Sequence, residues 1–267
     1  MVVGIGVEGG IGRASRVTTS DLWTIDVGSG EATRLTSNGD AASATWFPDG
    51  RRIAYLKAVA EGFEIWSARA DGSAPPARLM GALSGVPYAM DLAPDGRFLV
   101  ARITDRRSSG ALVRVALEGD ARTDTLVRAI IEGVRPEHPR ISPDGRWVSY
   151  IDRTTYEVWV RSLRDSSVLM VSTTNSSDSP AIWGPDSRTL YYRSSEGLSV
   201  IELQTAPQIA VSRRRAIRSL PANAGFDIAP DGKTFAMVIH AQGADGVVVA
   251  VDWATEARRA WRGSASK

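Results

Sequence analysis

The sequence holds no cysteine in 267 residues, which excludes a disulfide framework and any thiolate-bound metal and leaves the redox compartment open. It holds two histidines, His138 and His240, 102 positions apart. A metal centre needs three or four ligands, so two distant imidazoles with no companion motif predict no metal site and read as ordinary loop or strand residues. No apolar run approaches the 18 or so residues that a membrane helix requires; the strongest, Val247 to Val251, is five long. Charge of one sign is lacking too, with 32 basic against 30 acidic residues. The nearest approach to a basic tract, Arg213, Arg214, Arg215 and Arg218, reads as a solvated loop, and no nucleic-acid partner is expected. The opening segment Met1 to Glu8 lacks a basic start and carries an acid where a signal peptide is apolar, so no signal peptide is read there.

What is present is a repeat. Pro48-Asp49-Gly50, Pro94-Asp95-Gly96, Pro143-Asp144-Gly145, Pro185-Asp186-Ser187 and Pro230-Asp231-Gly232 recur at intervals of 46, 49, 42 and 45 residues. A basic residue follows each: Arg51, Arg97, Arg146, Arg188 and Lys233. Two positions before each Pro stands a large apolar residue, Trp46, Leu92, Ile141, Trp183 or Ile228. Another follows three positions after the turn, at Ile53, Leu99, Val148, Leu190 and Phe235. Pro presets φ for a turn, Asp bonds back to the turn backbone, and Gly accepts the positive φ that reverses the chain. The unit therefore predicts a hairpin between two strands, the second fully buried, as in Arg52 to Leu56 and Arg146 to Ile151.

A second apolar run follows in each unit: Leu22 to Ile25, Ile65 to Ala68, Leu112 to Val115, Val158 to Arg161, Leu198 to Ile201 and Val247 to Ala250. Several units add a fourth segment, as at Thr33 to Thr36, Ala77 to Met80 and Val168 to Val171. Four short antiparallel strands per repeat make one propeller blade, and six third-strand runs in 267 residues give roughly 45 residues per blade. The expectation is an all-β, six-bladed β-propeller over residues 1–253, its first and last blades incomplete, with a short tail at 254–267 that is helical in part. Val2 to Val7 is read as the second strand of the first unit. Two readings of the ends stay open: this segment completes the last blade, or the chain is a piece of something longer.

Ile141-Ser142-Pro143-Asp144-Gly145-Arg146-Trp147-Val148-Ser149-Tyr150 and its looser copies resemble the WD40-like repeat of TolB-type propellers. Asp21 to Asp26 and Arg34 to Thr36 are similar to that repeat's third and fourth strands. More narrowly, Phe226 to Met237 followed by Val247 to Trp253 is similar to the propeller tail of bacterial Ser/Thr protein kinases, with Asp252-Trp253 where those tails read Asn-Trp. No kinase motif accompanies it. The resemblance implies a detached extracytoplasmic or periplasmic sensor, not kinase activity.

Motifs that could carry chemistry lack their context. Gly4-Ile5-Gly6-Val7-Glu8-Gly9 has dinucleotide-loop spacing and Asp26 lies near the place of a ribose-binding acid, but three residues precede it and no helix start follows. No Gly-x-Ser-x-Gly elbow occurs. The turn aspartates read as scaffold. Trp23, Trp66 and Trp159 share one repeat register and Trp46 and Trp183 another, which predicts packing between blades; Trp253 and Trp261 are assigned to packing of the tail. Loops between blades, at 37–40, 81–86, 131–137, 173–178 and 214–224, are polar and mixed in charge. The expectation is a non-catalytic, monomeric interaction or sensing module, with no cofactor, no catalytic or metal residue and no membrane insertion. A protein or peptide, or else a small molecule, would bind on the inter-blade loop face. The alternative is the propeller of a prolyl-oligopeptidase-like serine peptidase whose hydrolase domain lies outside this sequence.

Overall fold

The computed structural model describes residues 2–6, 21–26, 28–83, 86–104, 110–117, 128–131, 135–173, 180–195, 197–217, 225–228, 235–240 and 247–249. These form 22 strands in six antiparallel sheets, with no helix among them. The first sheet holds β1 (Val2–Gly6), β2 (Leu22–Asp26) and β3 (Ala32–Arg34). The second holds β4 (Ala41–Trp46), β5 (Arg52–Val59), β6 (Gly62–Arg69) and β7 (Ala77–Met80). The third holds β8 (Val86–Leu92), β9 (Phe98–Thr104), β10 (Ala111–Ala116) and β11 (Arg128–Ile131); the fourth, β12 (Pro136–Ile141), β13 (Trp147–Asp152), β14 (Glu157–Ser162) and β15 (Val168–Met170). The fifth holds β16 (Ile182–Trp183), β17 (Thr189–Ser194), β18 (Gly197–Gln204) and β19 (Ala210–Ile217), and the last β20 (Gly225–Ile228), β21 (Phe235–His240) and β22 (Val247–Val249). Six third strands, β2, β6, β10, β14, β18 and β22, stand where the six apolar runs predicted them. The number of sheets is consistent with six blades.

The repeated turn behaves as its chemistry requires. Asp49 Oδ1 accepts from the amides of Arg51 and Arg52 at 2.8 and 3.1 Å, Asp95 Oδ1 from that of Arg97 at 3.0 Å, and Asp186 Oδ1 from those of Arg188 and Thr189 at 3.0 and 2.8 Å. Gly50, Gly96 and Gly145 adopt φ of 62°, 72° and 68°, and Ser187 holds the same place at 56°. Successive turns nest. A Cβ on Gly96 would lie 3.9 Å from Pro48, and one on Gly145 would lie 3.7 Å from Pro94.

The core lies between sheets, as face-to-face packing of blades demands. Leu56 and Ile65 of the second sheet meet Met90 and Leu99 of the third. Phe98 and Leu112 of the third meet Val148 and Tyr150 of the fourth. Ile151 and Val160 of the fourth meet Leu190 and Ile201 of the fifth. The second strands β9 and β13 are buried almost throughout, so the continuous apolar runs that follow the turns belong to strands covered on both faces.

Val2–Gly6 is the second strand of the first sheet, as the sequence suggested, pairing antiparallel with β2 from Val2 opposite Asp26 to Gly6 opposite Leu22, so the alternative that it completes the last sheet falls. One expectation changes: Arg213, Arg214 and Arg215 are not a loop. They lie in β19, the outermost strand of the fifth sheet, with Arg213 opposite Glu202 and Arg215 3.5 Å from the same carboxylate. An outer strand has one solvated edge, where long cationic side chains are tolerated and discourage pairing with another sheet. Residues 250–267, with Trp253, Trp261 and the proposed helical tail, lie outside the described residues.

Candidate functional site: an axial polar column

The first strand of each repeat, β4, β8, β12, β16 and β20, packs on its counterpart in the next sheet, which makes these strands the inner wall of the propeller. Three of them share an irregularity. Their register with the second strand shifts between Ala42 and Thr45, between Pro87 and Ala89, and between Glu137 and Arg140. Within two of these bulges Ser43 and His138 hold φ of 46° and 52°. Ser43 Oγ accepts from Met90 N at 3.0 Å, tying one inner strand to the next. A bulge bends its strand and re-aims the residues beyond it.

Beyond the bulges lies a column three positions before each turn Pro: Thr45, Asp91, Arg140, Ile182 and Asp227. Asp91 is its centre. Its Oδ1 accepts from Thr45 Oγ1 of the preceding sheet at 3.0 Å, and its Oδ2 accepts from Ile141 N of the following sheet at 2.7 Å. Arg140 Nη1 lies 4.0 Å from Oδ1. Burial pushes the Asp91 carboxyl up, against the opposing pull of Arg140 and these hydrogen bonds. From behind, Trp183 Nε1 donates to the Arg140 carbonyl at 3.0 Å, so the in-register tryptophan that the sequence assigned to packing also holds the Arg140 backbone.

Asp227 differs from Asp91. Among the described residues it accepts from Ile228 N, at 2.8 Å, and forms no ion pair. Burial pushes its carboxyl up as well, with Arg140 partly offsetting, yet its side chain is open to solvent.

At the other end of the inner strands Glu137 lies between Arg102 Nη2, at 3.4 Å, and Arg153 Nη1, at 3.3 Å. Arg102 is buried and its Nε donates to the Pro136 carbonyl at 2.9 Å. His138 is on the inner strand β12. His240 ends β21, a second strand of another sheet, so the fold does not place the two on one wall. No group of three or more metal-ligating side chains occurs among the described residues. The inter-blade loops are described only in part; Ser37 to Asp40 is, whereas 174–178 and 218–224 lie outside. The polar column sits at the opposite end, beside the Pro-Asp turns.

Radially repeated four-stranded antiparallel sheets around an inner wall define a β-propeller. Solved structures bear the same fold. Putative TolB from Agrobacterium tumefaciens superposes with a TM-score of 0.66 at 14% identity, over 88% of this chain and 86% of that one. TolB from Acinetobacter baumannii gives 0.62 at 14% identity, over 86% of this chain but 56% of its own length. An oligogalacturonate lyase in complex with manganese gives 0.59 at 16% identity, over 85% and 66%. The chain is thus a TolB-like, WD40-like propeller in fold. No protein-family model and no curated protein matches the sequence.

Proposed function

We propose that this chain is a non-catalytic binding module whose partner, a protein or peptide, engages the channel at the end ringed by the Pro-Asp turns. The observation that carries this is the axial column. Asp91 and Arg140 are fixed by bonds from three successive sheets, so the wall presents preorganised charge. Preorganised charge supports recognition, because an incoming group meets partners already held in place. Asp91 and Arg140 are tied to backbone and to each other, which favours a binding wall over a reaction centre. The likeness to TolB structures supports a detached sensor or interaction role, and the lyase among the neighbours keeps an enzyme as the competing reading.

The experiment places a photoreactive amino acid at Asp95, on an exposed turn of this mouth, and separately at Met170, on the exposed outer strand of the fourth sheet. A discrete adduct from position 95 and none from 170, in cells of the source organism, supports the reading. An adduct from 170 alone contradicts it. So does turnover of an oligosaccharide or peptide by the purified chain that is lost in Arg140→Ala.

A further inference from the structure

Three asparagines occur in the chain, and one of them, Asn38, is followed by glycine. Asn38 is exposed in the loop that joins β3 to β4, and Gly39 holds φ of 63°. The Gly39 amide donates to Asp21 Oδ1 at 2.8 Å, a carboxylate 18 positions upstream. Asp21 is itself fixed on the first sheet: its Oδ1 also accepts from Thr36 Oγ1 at 3.4 Å, and its Oδ2 pairs with Arg34. We infer that Asn38 is a latent deamidation site, held closed by the hydrogen bond from Gly39 N to Asp21.

The chemistry of an Asn-Gly pair defines what that bond controls. Gly39 N must give up its proton and attack Asn38 Cγ; the N–Cγ bond forms, the Cγ–Nδ2 bond breaks, and ammonia leaves with the proton. Water then opens the cyclic imide at one carbonyl or the other, giving aspartate or isoaspartate at position 38. Glycine has no Cβ to hinder the closure. A carboxylate that accepts from Gly39 N opposes it, because its charge disfavours loss of that proton and the bond holds the nitrogen in place. Burial raises the Asp21 carboxyl, but hydrogen bonds from Gly39 N and Arg34 outweigh it and hold the group below the usual carboxylate range. It is therefore anionic at the alkaline pH that drives deamidation. Gly50, Gly96 and Gly145 follow Asp in their turns, but their amides donate to the carbonyls of Phe47, Ala93 and Ser142. An ionised carboxylate is also a poor electrophile, so Asn38 is the reactive member of this set. Isoaspartate lengthens the backbone by a methylene and displaces Gly39 N from Asp21, which loosens the joint between the first and second sheets. The inference is independent of the binding-module reading.

The test ages the purified full chain in mildly alkaline buffer beside its Asp21→Ala variant. Aspartate and isoaspartate at position 38 are measured by peptide mapping with mass spectrometry, and isoaspartate also by enzymatic methyl transfer. Asn175, followed by serine, serves as the reference in the same digest. Asp21→Ala should raise the rate at position 38 about tenfold, the scale of one charge-assisted hydrogen bond, and leave that at Asn175 unchanged. Asp21→Asn keeps an oxygen that accepts from Gly39 N and should age at a rate between the two. Equal rates at position 38 in parent and Asp21→Ala, or an equal rise at Asn38 and Asn175, would overturn the inference. Two measurements on the parent alone decide the matter if the variant does not fold. The Gly39 amide should exchange its hydrogen more slowly than in an unstructured peptide, and Asn38 should age more slowly in the folded chain than in urea. Exchange or ageing as fast as in the unfolded state would overturn the inference as well.

Discussion

Ser187 Oγ accepts a hydrogen bond from Asp144 N at 2.9 Å, so the turn of the fifth sheet closes onto the turn of the fourth. Ser187 stands where the other described turns have glycine and holds φ at 56°. It is buried, and the hydroxyl explains why a residue with a Cβ is found at a position that strains it.

Replacing Ser187 therefore separates two effects. Ser187→Ala keeps the strained backbone and leaves Asp144 N unpaired, and should cost about 1–3 kcal/mol. Ser187→Gly also loses the bond but relieves the strain, and should cost less than the alanine variant. Urea unfolding of both variants checks the order; an alanine variant as stable as the parent would mean that the bond does not matter.

Gly110 adopts φ of 109°, and a Cβ there would lie 3.3 Å from Thr104 Cγ2 and 3.4 Å from Arg102 Nη2. Gly110→Ala should lower stability by more than the ~1 kcal/mol typical of strained-glycine replacement, since it also presses on a buried guanidinium. The melting temperature reads this.

Arg102→Met should cost about 3–5 kcal/mol, because Glu137 loses its buried partner and the Pro136 carbonyl its donor. Glu137→Gln should cost less, as an amide oxygen still accepts from Arg153. Denaturant midpoints of the two variants distinguish them.

Stability should depend on pH in two opposite ways. Hydrogen bonds from Ser29 to Asp26 and from Ser73 to Asp71 hold those carboxyls below the usual range, so their contribution is present above about pH 4 and is lost as pH falls through the folded values. Asp91 is raised by burial, so its contribution is present below about pH 4 and is lost as pH rises through its folded value. Asp91→Asn should accordingly cost more at pH 4 than at pH 7, whereas Asp26→Asn should cost more at pH 7 than at pH 3. Melting curves across this range test both signs.

The sequence made the scaffold legible because every blade meets the same physical demand. A reversal between buried strands needs Pro, Asp and Gly, and the third strand needs an apolar run, so Pro94 resembles Pro143 and Leu112 resembles Val158. The column was not legible for the converse reason. Thr45, Asp91, Arg140, Ile182 and Asp227 share a register and differ in chemistry, because each meets a different neighbour on the inner wall. The position was readable one residue away from the aligned Trp46, Leu92, Ile141, Trp183 and Ile228. The strand β19 escaped because its three arginines mimic a loop, and the inner-strand bulges because an extra residue breaks the alternation by which strands are recognised.

Two amides report on the column directly, Ile141 N bonded to Asp91 and Ile228 N bonded to Asp227. The most direct measurement follows these two resonances in the isotopically labelled chain while the partner captured through position 95 is added. The account predicts that both move together, in step with binding, while the amides of Val168 to Met170 on the outer strand stay in place. Shifts confined to the outer strand, with Ile141 and Ile228 unmoved, would contradict it.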